Sequence, residues 1–296
     1  MGDIVDYIRG SNIKYPSGSQ LIHSELDADR LDFLLRDSLF CGVKYGIYDL
    51  DRLLISLTST DEGHLIVSRK GIYVAEEFVF ARFYMYRQVY IHKTKRAFEI
   101  MVSKVMQELL SNGIIQYPAI KENIEEELTD KDDIWLISQF RSLLKNKEID
   151  EKVRKLIKMI LYREPIKLVG EVEESISKMD ERFSSEFHFL RELKNRRDFI
   201  EQLGKAQIPE DGVFIDEPRI DIKQAPYIFI PSKEYEEKQY SILVYDNKNK
   251  PIDIAMRKGS MIREISTRLL GIVRVYTFEK YARRLRDIID SLLKTI

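Results

Sequence analysis

The spacing of apolar residues along the chain predicts helices first and strands only in short runs. Ile4, Val5 and Ile8 make the stripe of a helix over residues 3–9, and Tyr15–Gln20, rich in Pro, Ser and Gly, reads as a loop. The stretch Leu26–Asp37 then carries four acidic and two basic residues inside a helical apolar pattern. Leu31, Leu34 and Leu35 share one face, while Asp29, Phe33 and Asp37 recur every four residues on another. Asp27 is placed to cap this helix, Asp32 and Arg36 to pair along it, and Gly42 to end it. A short helix over Asp49–Leu54 follows. After it, Ile55–Ser59 and His64–Ser68 flank the turn Asp61-Glu62-Gly63 as a hairpin.

Residues 71–112 read as two long helices broken near Tyr90–His92. The first puts Phe78, Ala81, Met85 and Val89 on one side and Arg82, Tyr86, Tyr90 and Lys93 on the other. Helical pieces follow over 124–128, 133–146 and 150–162, with Trp135 as a core anchor and Pro165 stopping the last, and then an extended run over 167–172. Residues 173–205 read as charged and helical, rich enough in Glu, Lys and Arg to be a solvated arm or a partner-facing hairpin. Beyond them, strands are predicted at 226–231, 240–245, 251–255 and 271–276, and helices at 260–269 and 278–296.

Composition narrows the class. At 296 residues with 44% hydrophobic content the chain can bury a substantial core. Its 48 basic and 49 acidic side chains nearly cancel, so no overall field points to nucleic acid or an anionic membrane, and any anion site is local. One cysteine, Cys41, excludes an intrachain disulfide and a cysteine-built zinc centre. With no apolar run of membrane-spanning length and no basic-then-apolar leader, the expected location is the cytoplasm.

Two patterns carry candidate chemistry. Carboxylates beside a core stripe suit metal ligation, ligand orientation or base work, and neighbouring arginines suit phosphate. The same pattern fits an ordinary capped, charged helix start. Likewise the line Arg82, Tyr86, Tyr90, Lys93 suits a phosphate with a base stacked on a phenol ring, and equally a snorkelling basic helix with half-buried tyrosines. A third use of such basic, aromatic faces is single-stranded nucleic acid, which the near-zero net charge disfavours.

Taken together, Leu26–Asp37, Tyr84–Lys93 (YMYRQVYIHK) and Tyr162–Gly170 (YREPIKLVG) resemble the HD-domain deoxynucleoside triphosphate triphosphohydrolases, the dGTPase and SAM-and-HD-domain dNTPase group, in order and approximate spacing. The resemblance implies a mainly α, HD-domain-like helical body over 1–205, with a hairpin near 54–69 and the charged arm near 173–205. A small α+β subdomain would follow over 206–296. It implies that Asp29 is the last ligand of a His, His-Asp, Asp metal site holding Mg, Mn, Fe or Zn. Arg30 and Arg82 would meet the triphosphate, Phe33, Tyr86 and Tyr90 the sugar and base, and Asp37 the 3′-hydroxyl. In regulated members the positions of His92, Lys93, Arg163 and Lys167 bind an activating nucleotide at a subunit interface, which implies a homo-oligomer here. The activity implied is cleavage of dNTPs to deoxynucleoside and triphosphate.

The sequence departs from that pattern at the metal. It has no His-Asp dipeptide, and His23, His64, His92 and His188 do not fall where the family places ligands. With 28 residues ahead of Asp29, two explanations stand: a chain whose N-terminal part is missing, or a natural form without the metal half. Either way the expectation is that one ligand cannot retain the metal and that the chain alone is inactive. The alternative function is a non-catalytic nucleotide-binding or oligomeric assembly module.

Overall fold

A computed structural model describes residues 4–5, 16–115, 132–146, 149–177, 182–218, 242–263 and 268–296. The protein is mainly α with a small C-terminal α+β part, as the apolar spacing predicts. Among the described residues no helix is long and apolar enough to cross a membrane. The chain folds into two compact units. The first comprises residues 1–91, 175–182 and 219–270, and the second residues 92–174, 183–218 and 271–296.

In the first unit, α1 (Pro16–His23), α2 (Ala28–Cys41), α3 (Leu50–Ser56) and α4 (Ile72–Met85) surround a sheet of β1 (Leu57–Ser59), β2 (Leu65–Val67), β5 (Leu243–Tyr245) and β6 (Pro251–Asp253), in the order β1-β2-β5-β6. The predicted hairpin forms with Thr58 opposite Ile66. The expected loop over Tyr15–Gln20 is instead mostly helix. Proline is compatible with a first helical position, and the helix is fastened to the hairpin by Ser17 N–H to the Gly63 carbonyl (2.8 Å) and Leu65 N–H to Gln20 Oε1 (2.6 Å). That fastening is tertiary, so local composition gave no sign of it.

Helix α2 has the predicted ends. Asp27 accepts from Arg30 N–H at 2.7 Å, and Gly42 closes the helix in the left-handed conformation (φ 67°). Arg36 pairs with Asp32 on the exposed face (Nε–Oδ2 2.9 Å). Helix α4 departs from its two-sided pattern. Ile72, Val74, Ala75, Phe78, Val79, Ala81 and Met85 are buried, and so are Glu76 and Arg82. It is the central helix of the unit, and its polar residues are interior ones. A π-helical turn, Tyr86–Tyr90, continues it, closed by Ile91 N–H to the Tyr86 carbonyl (3.0 Å).

The junction of α2 and α4 is set by the loop between α2 and α3. Gly46 N–H donates to Ser38 Oγ (2.8 Å), and Tyr48 O–H donates to the Leu31 carbonyl (2.6 Å). A Cβ on Gly46 would stand 2.6 Å from the Leu34 carbonyl oxygen and 2.9 Å from Met85 Cγ. Only a residue without a side chain fits this approach.

In the second unit, α5 (Lys93–Ser111), α6 (Asp133–Leu143) and α7 (Glu151–Leu161) share one core, where Ala97, Met101, Val105 and Leu109 meet Phe140, Leu156 and Ile157. Trp135, expected as the anchor of α6, is half-buried, and Phe140 and Leu143 do the packing. A second core lies on the sheet β3-β7-β4, formed by β3 (Lys167–Ser177), β4 (Val213–Asp216) and β7 (Arg268–Thr277). Helices α8 (Ser185–Arg191), α9 (Arg197–Lys205) and α10 (Ala282–Leu293) cover it with Phe187, Leu190, Phe199, Leu203, Leu285 and Ile289. Asp216, buried at the end of β4, takes a bidentate ion pair from Arg96 of α5 (Nε 3.0 Å, Nη2 2.5 Å).

Several expectations change here. Residues 173–205 are not a solvated arm: they finish β3 and supply two core helices whose apolar faces, spaced among many charges, point inward. The expected boundary at 205/206 does not hold, because β5 pairs with β2 in one unit while β7 pairs with β4 in the other. The helix expected over 260–269 gives way at Arg268, where β7 begins. The predicted strand at 226–231 and helix at 124–128, and the 3–9 helix apart from Ile4 and Val5, lie outside the described residues.

Replacing Gly46 by Ala should destabilise the fold by about 1–3 kcal/mol, the usual cost of overpacking a tight core contact. Chemical denaturation checks this, and a midpoint unchanged from the parent would show that the α2–α4 junction has slack.

Candidate functional site

The sequence singled out eleven residues, and seven of them lie in the first unit, on α2, α4 and the π turn. Tyr90 O–H donates to Asp37 Oδ2 at 2.7 Å, joining the last turns of α2 to the π turn. Phe33, one turn before Asp37, meets the Tyr90 ring in an edge arrangement at 6.2 Å, and Tyr86 does so at 6.4 Å. The helical repeat places Phe33 and Asp37 on one face of α2. The π turn, which the sequence pattern did not reveal, sets where Tyr90 stands relative to Tyr86.

The two arginines at the other end of the cluster are already engaged. Arg82, buried on α4, forms an ion pair with Glu25, itself largely enclosed. Arg30 pairs with Asp27 and also donates to the Ser24 carbonyl. The segment Ser24–Asp27, between α1 and α2, thus presents two carboxylates to two guanidiniums. Burial pushes the Asp27 carboxyl above its usual range, while the Arg30 N–H and guanidinium pull the other way. Arg82 also acts electrostatically on both Asp27 and Tyr90, which makes these groups one electrostatic neighbourhood. Glu25 was missed by sequence reasoning, because it precedes the helix and belongs to no periodic face.

Asp29 sits in the first turn of α2 and is exposed. Among the described residues no group of three or more His, Cys, Asp or Glu side chains stands together so as to hold a metal. The donors described therefore do not fit the metal centre that the resemblance implies, and Asp29 alone cannot supply its geometry.

The other four residues lie in the second unit. His92 caps α5, its Nδ1 accepting from Thr94 N–H at 3.3 Å, and the Lys93 carbonyl accepts from Tyr276 O–H at 3.0 Å. Arg163 is exposed, with a left-handed backbone (φ 59°), and Lys167 pairs with Glu279 at 2.9 Å. Arg163 and Lys167 bracket the loop from α7 to β3. Among the described residues no contact brings these four into a single cluster.

A sequence model described as "HD associated region" matches residues 48–224, more than half of the chain. The chain belongs to the HD-associated region family. With that family comes a tie to the HD superfamily. The chain is 36% identical over 86 residues to the Bacillus subtilis protein YwfO, covering 29% of this chain and 20% of that one. It is 30% identical over 159 residues to a Dictyostelium discoideum protein named "Deoxynucleoside triphosphate triphosphohydrolase SAMHD1 homolog", covering 53% of this chain and 29% of that one. The fold is that of a Bacteroides thetaiotaomicron phosphohydrolase (TM-score 0.63, 22% identity), over 92% of this chain and 66% of that one. The chain thus spans less than a third of these curated relatives' own length.

Burial, and next the Asp37 acceptor, raise the Tyr90 phenol above its ordinary value near 10. The folded state therefore favours the protonated phenol, so the stability this contributes is complete below about pH 10 and is lost as pH rises beyond it. In ultraviolet titration, wild type and Tyr90→Phe should show the same tyrosinate signal up to about pH 11. A tyrosinate lost in the variant with a midpoint near 10 would contradict the Asp37 hydrogen bond.

Proposed function

We propose that this HD-associated chain forms the nucleotide-holding side of a phosphohydrolase that cleaves dNTPs, with dGTP as the type substrate, to deoxynucleoside and triphosphate. The observation that carries this reading is the Asp37–Tyr90 hydrogen bond with Phe33 packed on the same ring and Arg82 nearby. It puts a carboxylate, aromatic surface and a buried cation in one neighbourhood, the kinds of group a nucleoside phosphate would meet. The Dictyostelium relative's name and the phosphohydrolase fold support it.

In this reading Arg30 and Arg82 take the triphosphate, Phe33, Tyr86 and Tyr90 pack on sugar and base, and Asp37 accepts from the 3′-hydroxyl. A hydroxyl recognised by a buried acceptor discriminates strongly, because its absence leaves the acceptor unpaired. Binding requires the triphosphate to replace Glu25 and Asp27 on their arginines. These two carboxylates stand where a ligand's anion would, and hold both cations neutral without it. A divalent metal would activate water and stabilise charge on the leaving triphosphate. The described residues do not hold one, so no step is assigned to it and the chain by itself binds without cleaving. An activating nucleotide at His92, Lys93, Arg163 and Lys167, and a homo-oligomer, belong to the same proposal.

A second reading, a non-catalytic nucleotide-binding and assembly module, draws on the exposed apolar side chains of the first unit. Leu39 and Phe40 at the end of α2 are 77% and 82% exposed. A surface of this kind suits a second protein copy.

Calorimetric titration with dGTP tests the proposal. Arg82→Ala should weaken binding about tenfold or more, and Glu25→Gln should strengthen it, because the competing carboxylate is gone. Dideoxy-GTP should bind the parent as weakly as dGTP binds Asp37→Asn, and removing both partners should cost no more than removing one. Unchanged dGTP affinity in Arg82→Ala and Asp37→Asn would overturn the site. Triphosphate release from the chain alone with Mn²⁺ or Mg²⁺ would overturn the expectation that it only binds.

A further inference from the structure

The second unit contains a cavity of about 640 Å³ that none of the preceding chemistry uses. It lies between the C-terminal half of α5, the first turns of α7, the start of β4, and the turn Phe278–Tyr281 that leads into α10. Its size falls within the range of small-ligand sites.

Phe214 and Phe278, edge to face at 5.6 Å, and Tyr281 line it with aromatic surface. Lysines, with Arg154 and several carboxylates, make up most of the rest. Some are already neutralised: Lys104 pairs with Glu108 (3.2 Å) and Lys152 with Asp211. Among the described residues, Lys155, Lys158 and Lys280 have no carboxylate partner. Two of the three are nevertheless held in place by rings. The Lys155 ammonium lies 4.2 Å from the Phe278 ring centre and Lys280 lies 4.5 Å from that of Tyr281. A ring face positions an ammonium without cancelling its charge, which leaves that charge available to an anion.

The acids near these lysines are largely committed. Asp150 spends its carboxylate on Lys152 N–H as the cap of α7 (2.7 Å). Glu279, next to Lys280 in sequence, is drawn to Lys167. Asp150 keeps its charge, so among the described residues it and Glu151 stand in the lining against Lys155, Lys158, Lys280 and Arg154. An aromatic floor beneath a surplus of fixed ammoniums suits a ligand with a planar ring and several negative charges.

We infer that this cavity binds a small phosphate ester carrying a planar ring, of the nucleotide class, separately from the site on α2 and α4.

The test uses the full chain carrying Arg82→Ala and Asp37→Asn together with Lys93→Ala and Arg163→Ala, which silences the site on α2 and α4 and the proposed activator positions, so that loss of the cavity site is distinguishable from loss of the others. Titration with ATP should then still report one site. Sodium tripolyphosphate should bind about tenfold or more weaker, and adenosine weaker again. Lys155→Glu with Lys158→Glu, both at exposed positions, should reduce ATP affinity by about a hundredfold, with the melting temperature confirming the fold. Intermolecular NMR contacts between the adenine and the Phe278 ring give a readout that needs no core substitution. The inference fails if ATP does not bind this background, if the charge reversals leave binding intact, or if tripolyphosphate binds as well as ATP. It fails also if an oligonucleotide outcompetes ATP.

Discussion

Arg82 carries its charge on the helix that has least room for it. Helix α4 is buried on nearly every side, and a lone guanidinium there would cost several kcal/mol in lost hydration. Glu25 compensates, and in doing so draws the connection between α1 and α2 onto the central helix. Asp27 then caps α2 and takes Arg30, while Gly46 lets α2 approach Met85 closely enough for Asp37 to reach Tyr90. The candidate site follows from balancing one buried charge and from one loop position where no side chain fits.

The same balance gives the site its chemical character. Arginines held by carboxylates of their own chain are preorganised for an anion yet not exposed as a free positive patch. Any anion that took these arginines would have to offer more than two internal carboxylates do, which favours a multiply charged one. At the other end, Asp37 keeps the Tyr90 hydroxyl as its donor, and the π turn holds the two tyrosine rings in contact. π turns of this kind often accompany functional sites because they re-aim side chains within an otherwise regular helix.

Family membership sharpens this without completing it. The HD-associated region accounts for residues 48–224, while Arg30, Phe33 and Asp37 stand ahead of that match, on α2. The site therefore combines side chains from the matched region with side chains that precede it. Asp29, exposed in the first turn of α2, has no group of metal-ligating companions among the described residues.

The sequence by itself determined the local events. The limits of α2, its caps, the Asp32–Arg36 pair, the hairpin and the break after Tyr90 were all legible, because each depends on residues within a few positions of one another. So was the grouping of Phe33 with Asp37, which the helical repeat dictates. Tertiary structure alone decided which polar residues are interior, since Arg82 on a helix and Glu25 in a connection have no sequence relation until the fold joins them. It decided that residues 173–205 pack as core and that distant strands share sheets, because a strand's partner is chosen by long-range burial. Likewise Pro16–His23 became a helix only through its bonds to the hairpin. Lys152, Lys155 and Lys158 recur on the polar face of a predicted helix, but which acids stand near them is decided only in space.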